Sequence, residues 1–567
     1  MNTLIETIRA SVIGENHPID TPFGKKPLVY ADYTASGRAL GFIEDYIREQ
    51  VLPFYANTHT ETSYTGAQTT ALREQAREEI RRAVNAREED QVIFCGSGAT
   101  AAIHKLIDIL NLRLPADLNE RYQLQQKIPD SELPVVFVGP YEHHSNELPW
   151  RESIATLVVI PLNDDGLLDL TALEAQLQAH SDRALKIGSF SAASNVTGLK
   201  TDVDAVAALL HRYGAISFWD YAAAAPYVGI DMQGNQNQDS DSSKDAVFIS
   251  PHKFIGGPGT PGVLVVNQRI LNNRVPAVPG GGTVLYVTPE EHRYIANAER
   301  REEGGTPAIV ESIRAGLAFK LQQQVGTDEI ERRESDFVQR AMARWSECEN
   351  IEILGNLQAP RLSITSLRIK WQGKDLHYGF VASLLNDLFG IQVRGGCSCA
   401  GPYGHSLLGM DRDYSRAIEA QLLEGHMVLR PGWVRLNFNY FIDEATFEYL
   451  VRAIELVAEH GWKLLPFYRF DQTNGVWRYQ NVKVTPPVNL HNLDFSRLSN
   501  AQAQNRSSAS GAASNISTQT ELQSQLVEAE EEIRKELRNG TQYALELPEA
   551  VEELRWFVLP QEIVHEQ

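Results

Sequence analysis

Cysteine is scarce, with four residues in a chain of 567, at positions 95, 348, 397 and 399. That is too few for a disulfide scaffold at this length and suits a reducing compartment. Long apolar runs are missing as well: none is sufficient to cross a bilayer. The first thirty residues carry Glu6, Arg9, Glu15 and Asp20 without an apolar core, so they do not read as a secretory signal. A cytoplasmic protein without membrane contact is the expectation. Basic residues are the minority, 52 against 73 acidic ones for a net charge of −21, which argues against a nucleic-acid surface spread over the molecule. A few local donors would still hold a phosphate or carboxylate. The glycines at 96 and 98 lack the GK[ST] ending of a Walker loop. Cys/His spacing for structural zinc is absent too, so no metal is expected. What remains is a globular composition, 43% hydrophobic and 22% charged, at a length that implies two or three domains.

From about residue 28 to 268, short apolar runs alternate with helical patterns, which predicts an α/β layered unit with a mainly parallel sheet. The strand candidates are 92–95, 135–139, 157–160, 185–190, 216–219, 246–249 and 262–266. Several end in small or polar residues suited to a ligand crevice. Helical spacing marks 69–84 and 202–211, and 308–324 reads as a long connecting helix. Segments from there to 458 suggest a smaller α+β unit, with the crevice between the two. The expected division is a segment 1–27 associated with the smaller unit, a large unit 28–300, a linking helix and small unit 301–460, and an accessory extension 461–567. In the extension, 498–523 is rich in Ser, Ala, Asn and Gln and reads as flexible. The following LVEAEEEIRKEL (526–537) predicts an acidic amphipathic helix with a solvated charged face.

Four separated motifs carry chemistry. VFISPHKFIGGPGTPGVLVV (247–266) places Ser250, His252 and Lys253 directly after an apolar strand and before a glycine cluster. A lysine there can form a Schiff base if its ammonium is destabilised, while Ser250 and His252 can donate to a phosphate; a surface lysine beside a turn is the plain alternative. FWDYAAAAPY (218–227) leaves Asp220 at a strand end, where it suits a protonated pyridine nitrogen or merely caps a helix. In VIFCGSGATAAIHKL (92–106), Ser97, the glycines and Thr100 lie between strand and helix, as an anion cradle requires. GPYEHHSNELPW (139–150) offers His143 for stacking on an aromatic ring and His144 for orienting its loop. Together these point to pyridoxal 5'-phosphate (PLP) bound at Lys253.

In this combination and order, the motifs resemble the class V aminotransferases of the PLP-dependent fold-type I superfamily, above all their cysteine desulfurase and molybdenum-cofactor sulfurase branch, over residues 28–456. The resemblance implies an α/β fold with a large, mainly parallel seven-stranded sheet and a smaller α+β domain. It implies Lys253 as the PLP lysine, Asp220 on the ring nitrogen and His143 on the ring face. Thr100, Ser250 and His252 match the phosphate side, and Asn195 in ASNVTG matches the residue near the ring oxygen and substrate carboxylate. GGTP (304–307) resembles a loop that reaches across a homodimer, with Thr306 serving the neighbouring phosphate site. Cys399 in IQVRGGCSCAGPYG (391–404) matches the nucleophile that takes sulfur from L-cysteine as a persulfide, with alanine the other product and a protein the possible sulfur acceptor. Arg435 in GWVRLNF and Arg394 are the carboxylate candidates. One departure is Ala223, where the desulfurase pattern DxxQ has a glutamine able to donate to the ring oxygen. Aminotransferase, lyase or epimerase chemistry on another amino acid, and a noncatalytic PLP-binding or interaction scaffold, stay open as alternatives.

Overall fold

A computed structural model describes residues 2–58, 60–237, 240–480, 482, 488–495, 515–535 and 542–563. The large unit is built on seven strands: β1 (Asp90–Cys95), β2 (Val135–Val138), β3 (Thr156–Val159), β4 (Lys186–Ser191), β5 (Ile216–Asp220), β6 (Ala246–Ile249) and β7 (Gly262–Asn267). They form one sheet in the order β1-β7-β6-β5-β4-β2-β3. Neighbours run parallel except where β7 pairs antiparallel with both β6 and β1. The apolar runs follow from burial on both faces. Phe137, Trp219 and Val247 enter one core while Val138, Phe218 and Phe248 enter the other, in the two-residue alternation of a strand. β3 lies at the edge and is correspondingly half exposed. The strand expectations therefore match, each within two residues of its observed ends.

Helix α1 (Tyr64–Ala83) packs closely on α4 (Ile309–Val325). A Cβ on Gly316 would lie 2.5 Å from Ala76, so the two backbones approach where side chains are smallest. Between them in sequence come α2 (Gly98–Ile109) and α3 (His144–Arg151), both starting at strand ends. Helix α5 (Thr327–Trp345) leads from α4 to a second sheet of β8 (Ile351–Ile353), β9 (Ile364–Trp371), β10 (Arg394–Gly396) and β11 (Trp433–Asn437). Its order is β8-β9-β11-β10, all antiparallel. Helices α6 (Tyr378–Phe389), α7 (Gly401–Leu407) and α8 (Glu444–His460), with a further helix at Arg412–Leu423, belong to this smaller α+β unit. The N-terminal segment packs on it: Thr21 Oγ1 donates to the Asp387 carbonyl at 2.7 Å and Arg9 Nε to that of Phe441 at 2.6 Å.

The C-terminal extension is also laid against this unit. A hairpin, β12 (Tyr468–Asp471) and β13 (Val476–Tyr479), packs on α6, and α9 (Asn515–Arg534) runs along α8 with Leu522, Ala529 and Ile533 buried. Residues 515–523, read as flexible from composition, are thus the first part of a helix; 498–514 lie outside the described residues. A single apolar side chain per turn anchors α9, too sparse a signal against its polar neighbours. The acidic helix expected at 526–537 is its second half, with an apolar face turned to the protein and 536–537 outside the described residues. No helix among the described residues is long and apolar enough to cross a membrane.

Candidate active site

The carboxyl ends of β4, β5 and β6 bring Ser191, Asp220 and Ser250 to one cavity of about 200 Å³, which also takes residues from the second sheet. This is where a doubly wound sheet leaves a crevice for ligands. Thr100, His143, Asn195, Asp220, Ser250, His252, Lys253, Arg394, Cys399 and Arg435 all line it. Thr306 does not, and lies exposed on the surface.

Lys253 ends the single turn that follows β6. Enclosure by protein draws its ammonium down to about 8, with Asp220 opposing and Arg435 and Arg394 adding to the shift. Near neutrality a usable fraction is free amine, as a covalent attachment point requires. Asp220, 4% exposed, accepts a hydrogen bond from Ala222 N at 2.8 Å and has no ion-pair partner closer than 4.0 Å among the described residues. Burial raises its pKa. A buried carboxylate with unused acceptor capacity calls for a cationic N–H beside it, which a protonated pyridine supplies.

At the other end, α2 begins with Gly98 in the left-handed region at φ 59°. A Cβ there would meet Ser250 Oγ at 2.9 Å and His252 Cε1 at 3.0 Å, so glycine lets the helix start close against the turn carrying Lys253. Ser250 Oγ accepts from Ala99 N at 2.9 Å, which leaves its proton available to a ligand, and Thr100 Oγ1 shares a 2.7 Å hydrogen bond with Ser145 Oγ. Helix-end amides, hydroxyls and an imidazole make a phosphate-type cradle. Burial, then Lys253, lowers His252 to about 4, a proton deficit that a bound anion would relieve. His143 is lowered to about 3, first by burial and then by nearby cations. Its Nδ1 accepts from Ser145 N at 3.1 Å, which puts the proton of the neutral ring on Nε2. The donor set and the Asp220 carboxylate, with its spare acceptor capacity, fit PLP.

Arg394 and Arg435 face one another across β10 and β11 in direct register. Like charges so placed repel unless an anion lies with them. Part of that compensation is built in: Arg435 Nη2 bonds Asp32 Oδ1 at 3.0 Å and Nη1 donates to the Asn195 carbonyl at 3.0 Å. Arg435 Nε and Asn195 Oδ1 are buried with no hydrogen-bond partner. Arg394 is exposed to the cavity and has no carboxylate partner among the described residues. The pair therefore retains capacity for an incoming carboxylate.

The two loop cysteines differ in place. Cys399 lines the cavity, while Cys397 packs against the apolar cluster of Tyr141, Val196, Tyr403 and Trp433. Ser398 and Cys399 both adopt left-handed backbone, at φ 55° and 57°, a conformation that costs non-glycine residues about 1–2 kcal/mol each. The loop is tied down in compensation. Asn195 Nδ2 donates to the Ser398 carbonyl at 2.8 Å, His144 N to the Cys399 carbonyl at 2.8 Å, and Gly401 N to His144 Nε2 at 3.0 Å. His144 thus orients the cysteine loop as well as its own.

Four contributors escaped sequence reasoning: Asp32, Ser145, Ser398 and Glu142. Glu142 is buried and accepts from Ser191 N at 2.9 Å, Gly139 N at 3.1 Å and Asn146 Nδ2 at 2.8 Å, so it braces the loop that carries His143. Burial raises it to about 7. Its only sequence signal is its place beside the histidine pair.

A half-buried lysine of lowered pKa, a strand-end aspartate and a phosphate-type cradle in a doubly wound sheet define a PLP-dependent enzyme. The aminotransferase class-V family model matches residues 29–417, and the chain belongs to that family, whose cofactor is PLP. It is 31% identical over 392 residues to a probable cysteine desulfurase of Halalkalibacterium halodurans, covering 68% of this chain and 87% of that relative. A second probable cysteine desulfurase, from Streptomyces coelicolor, is 29% identical over 66% of this chain and 84% of its own length. Among solved structures, a cysteine desulfurase from Thermococcus onnurineus NA1 superposes with a TM-score of 0.61 at 22% identity, over 76% of this chain and 95% of that one. The cysteine desulfurase CsdA of Escherichia coli, in its S-sulfonic acid form, gives 0.59 at 20% identity, over 76% and 94%.

Proposed function

We propose that the enzyme removes sulfur from L-cysteine, leaving it on Cys399 as a persulfide and releasing alanine. The observation that carries this reading is the presence of Cys399, rather than Cys397, in the same cavity as Lys253, Asp220 and the two opposed arginines. The names of the relatives support the same substrate.

Arg435 and Arg394 would receive the substrate carboxylate, and Asn195 the region beside it. When bound, PLP supplies a sink for the charge that develops at the substrate α-carbon; Lys253 would hold it covalently, Asp220 at the ring nitrogen, His143 at the ring face, and Thr100, Ser250 and His252 at the phosphate. Once the substrate amine has displaced it from that covalent link, Lys253 Nζ, as a free amine, would take the α-proton as general base. Cys399 Sγ, as thiolate, then forms the S–S bond while the substrate C–S bond breaks. The carbon keeps that electron pair and takes a proton to become the methyl group of alanine. Cysteine plus the Cys399 thiol thus become alanine plus the Cys399 persulfide, in which sulfur is oxidised and the β-carbon reduced. The persulfide would pass to an external acceptor, for which a protein is the candidate.

The reading extends to assembly: the crevice lies between a large unit 28–300 and a small unit 301–460, and a second copy of the chain would bring its Thr306 to the phosphate side. The test follows L-cysteine turnover by PLP-loaded enzyme, quantifying alanine and Cys399-bound sulfur, with Cys399→Ala and Lys253→Ala beside the wild type. Equal yields of alanine and persulfide, lost in both variants, are expected. Wild-type protein that holds PLP but forms neither product would turn the assignment toward the chemistry favoured by Ala223, which lines the cavity without a donor for the ring oxygen.

A further inference from the structure

The family match ends at residue 417, yet the last part of the chain reaches back toward the cysteine loop. Phe557 forms a parallel bridge with Asp375, and Val558 N donates to the Asp375 carbonyl at 2.9 Å. Beside them, the Trp556 ring stacks on Tyr378 at 6.1 Å and 8° and on His377 at 5.2 Å and 25°. Trp556 Nε1 donates to the Leu429 carbonyl at 3.0 Å, and His377 Nε2 pairs with the neighbouring Val428 carbonyl at 3.2 Å.

Tyr378 joins this cluster to the loop. Its ring packs where side chains on Gly395 and Gly432 would be: a Cβ on either would lie 2.8 Å from a Tyr378 ring carbon. Gly395 belongs to β10, the strand that ends one residue before Cys397, and Gly432 precedes the Trp433 that pairs with Gly396. Trp556 therefore bears on the base of the loop by two routes, through the Tyr378 ring and through the 428–432 segment. The loop has need of such support, because Ser398 and Cys399 sit in left-handed backbone and the bonds from Asn195 and His144 hold it from the large unit alone.

We propose that Trp556, acting through Tyr378, is a positioning residue for the Cys399 loop, and that residues 549–563 clamp the strand that delivers Cys399 to the cavity. The catalytic meaning of the clamp rests on the proposed sulfur transfer to Cys399, but its structural effect is measurable without it. Iodoacetamide alkylation of Cys397, Cys399 and Cys348 is followed by mass spectrometry in the PLP-loaded full chain, together with deuterium uptake over 394–401. Cys348 is partly exposed and lies outside the cysteine loop, and serves as the internal reference. Trp556→Ala is expected to speed alkylation of Cys397 and Cys399 by about threefold to tenfold, the size of effect one lost aromatic contact produces, with faster exchange over 394–401 and an unchanged Cys348. Trp556→Phe, which keeps a ring against Tyr378 but loses the hydrogen bond to Leu429, should fall between wild type and Trp556→Ala. Gly395→Ala, which displaces the Tyr378 ring without touching Trp556, should reproduce the selective acceleration. Loop rates equal to wild type in Trp556→Ala, or acceleration of all three cysteines alike in both disruptive variants, overturns the proposal. Absence of L-cysteine turnover in the wild type would instead sink the desulfurase reading and leave these rates interpretable.

Discussion

At Lys253 the native environment works against the charged form, and the consequence is a pH signature. The native pKa near 8 lies below the ordinary 10.5 of an unfolded lysine, so the unfolded chain binds this proton more tightly. Below pH 8 the cofactor-free native state therefore carries the whole penalty, of about 3 kcal/mol. It fades as pH rises from 8 to 10.5, where the unfolded chain also loses the proton. Lys253→Met, without a charge to bury, should make the cofactor-free protein more stable to urea at pH 7, with the difference closing toward pH 10.5; a difference independent of pH would show that burial of the ammonium is not its source. Lys253 was legible in the sequence, as were Asp220, Ser250, His252 and Thr100, because each stands at the end of a strand or the start of a helix inside a short motif. Asp32 was not: its partner Arg435 is 403 residues away in the chain, and no local pattern announces the pair. The opposition of Arg394 and Arg435 needs strand register, which a list of residues does not contain.

Among elements, the start of α2 depends most on one residue. Gly98 combines positive φ with a Cβ position 2.9 Å from Ser250 Oγ, so Gly98→Ala must either strain the backbone or push apart the two halves of the phosphate-type cradle. A left-handed alanine costs about 1–2 kcal/mol of stability, and relief of that strain by opening the cradle would weaken PLP retention by up to roughly tenfold. Absorbance titration of cofactor-free protein with PLP would register that loss, and unaltered affinity would mean that the cradle does not hold the phosphate. The sheet around this turn was legible because strands buried on both faces must be apolar throughout, as VVFV at 135–138 is. Helix α5 was not named from the sequence. Its buried stripe of Ile330, Phe337, Val338, Ala341 and Trp345 is interrupted by Glu334 and set among many charges. Burial holds that Glu334 up at about 8, where Ser363 Oγ and Tyr440 N satisfy it. The first part of helix α9, residues 515–523, reads as flexible for the related reason that composition counts polar residues without regard to which face they occupy, whereas its second half was legible as a helix.

For the whole molecule, the proposed second copy can be tested at one patch of the surface. Gly305 N bonds the Gly281 carbonyl at 2.8 Å, and Ile295 N that of Thr283 at 3.0 Å, so the loop bearing Thr306 and the hairpin of Val284–Val287 with His292–Tyr294 form one projecting unit. Its apolar side chains face outward: Leu285 is 68% exposed, Tyr286 70% and Val287 58%. Apolar burial stabilises by about 1.5–3 kcal/mol for a large side chain, and in a two-fold dimer each substitution acts twice. If this hairpin enters a dimer interface, Leu285→Glu should shift sedimentation of the PLP-loaded protein from dimer to monomer at micromolar concentration. The same variant should retain PLP less well, because Thr306 would then have no neighbouring phosphate site to complete, although residue 285 is not among those lining the cavity. A dimer that survives Leu285→Glu would place the interface elsewhere; a wild type already monomeric would leave the crevice of a single chain to hold the cofactor without Thr306.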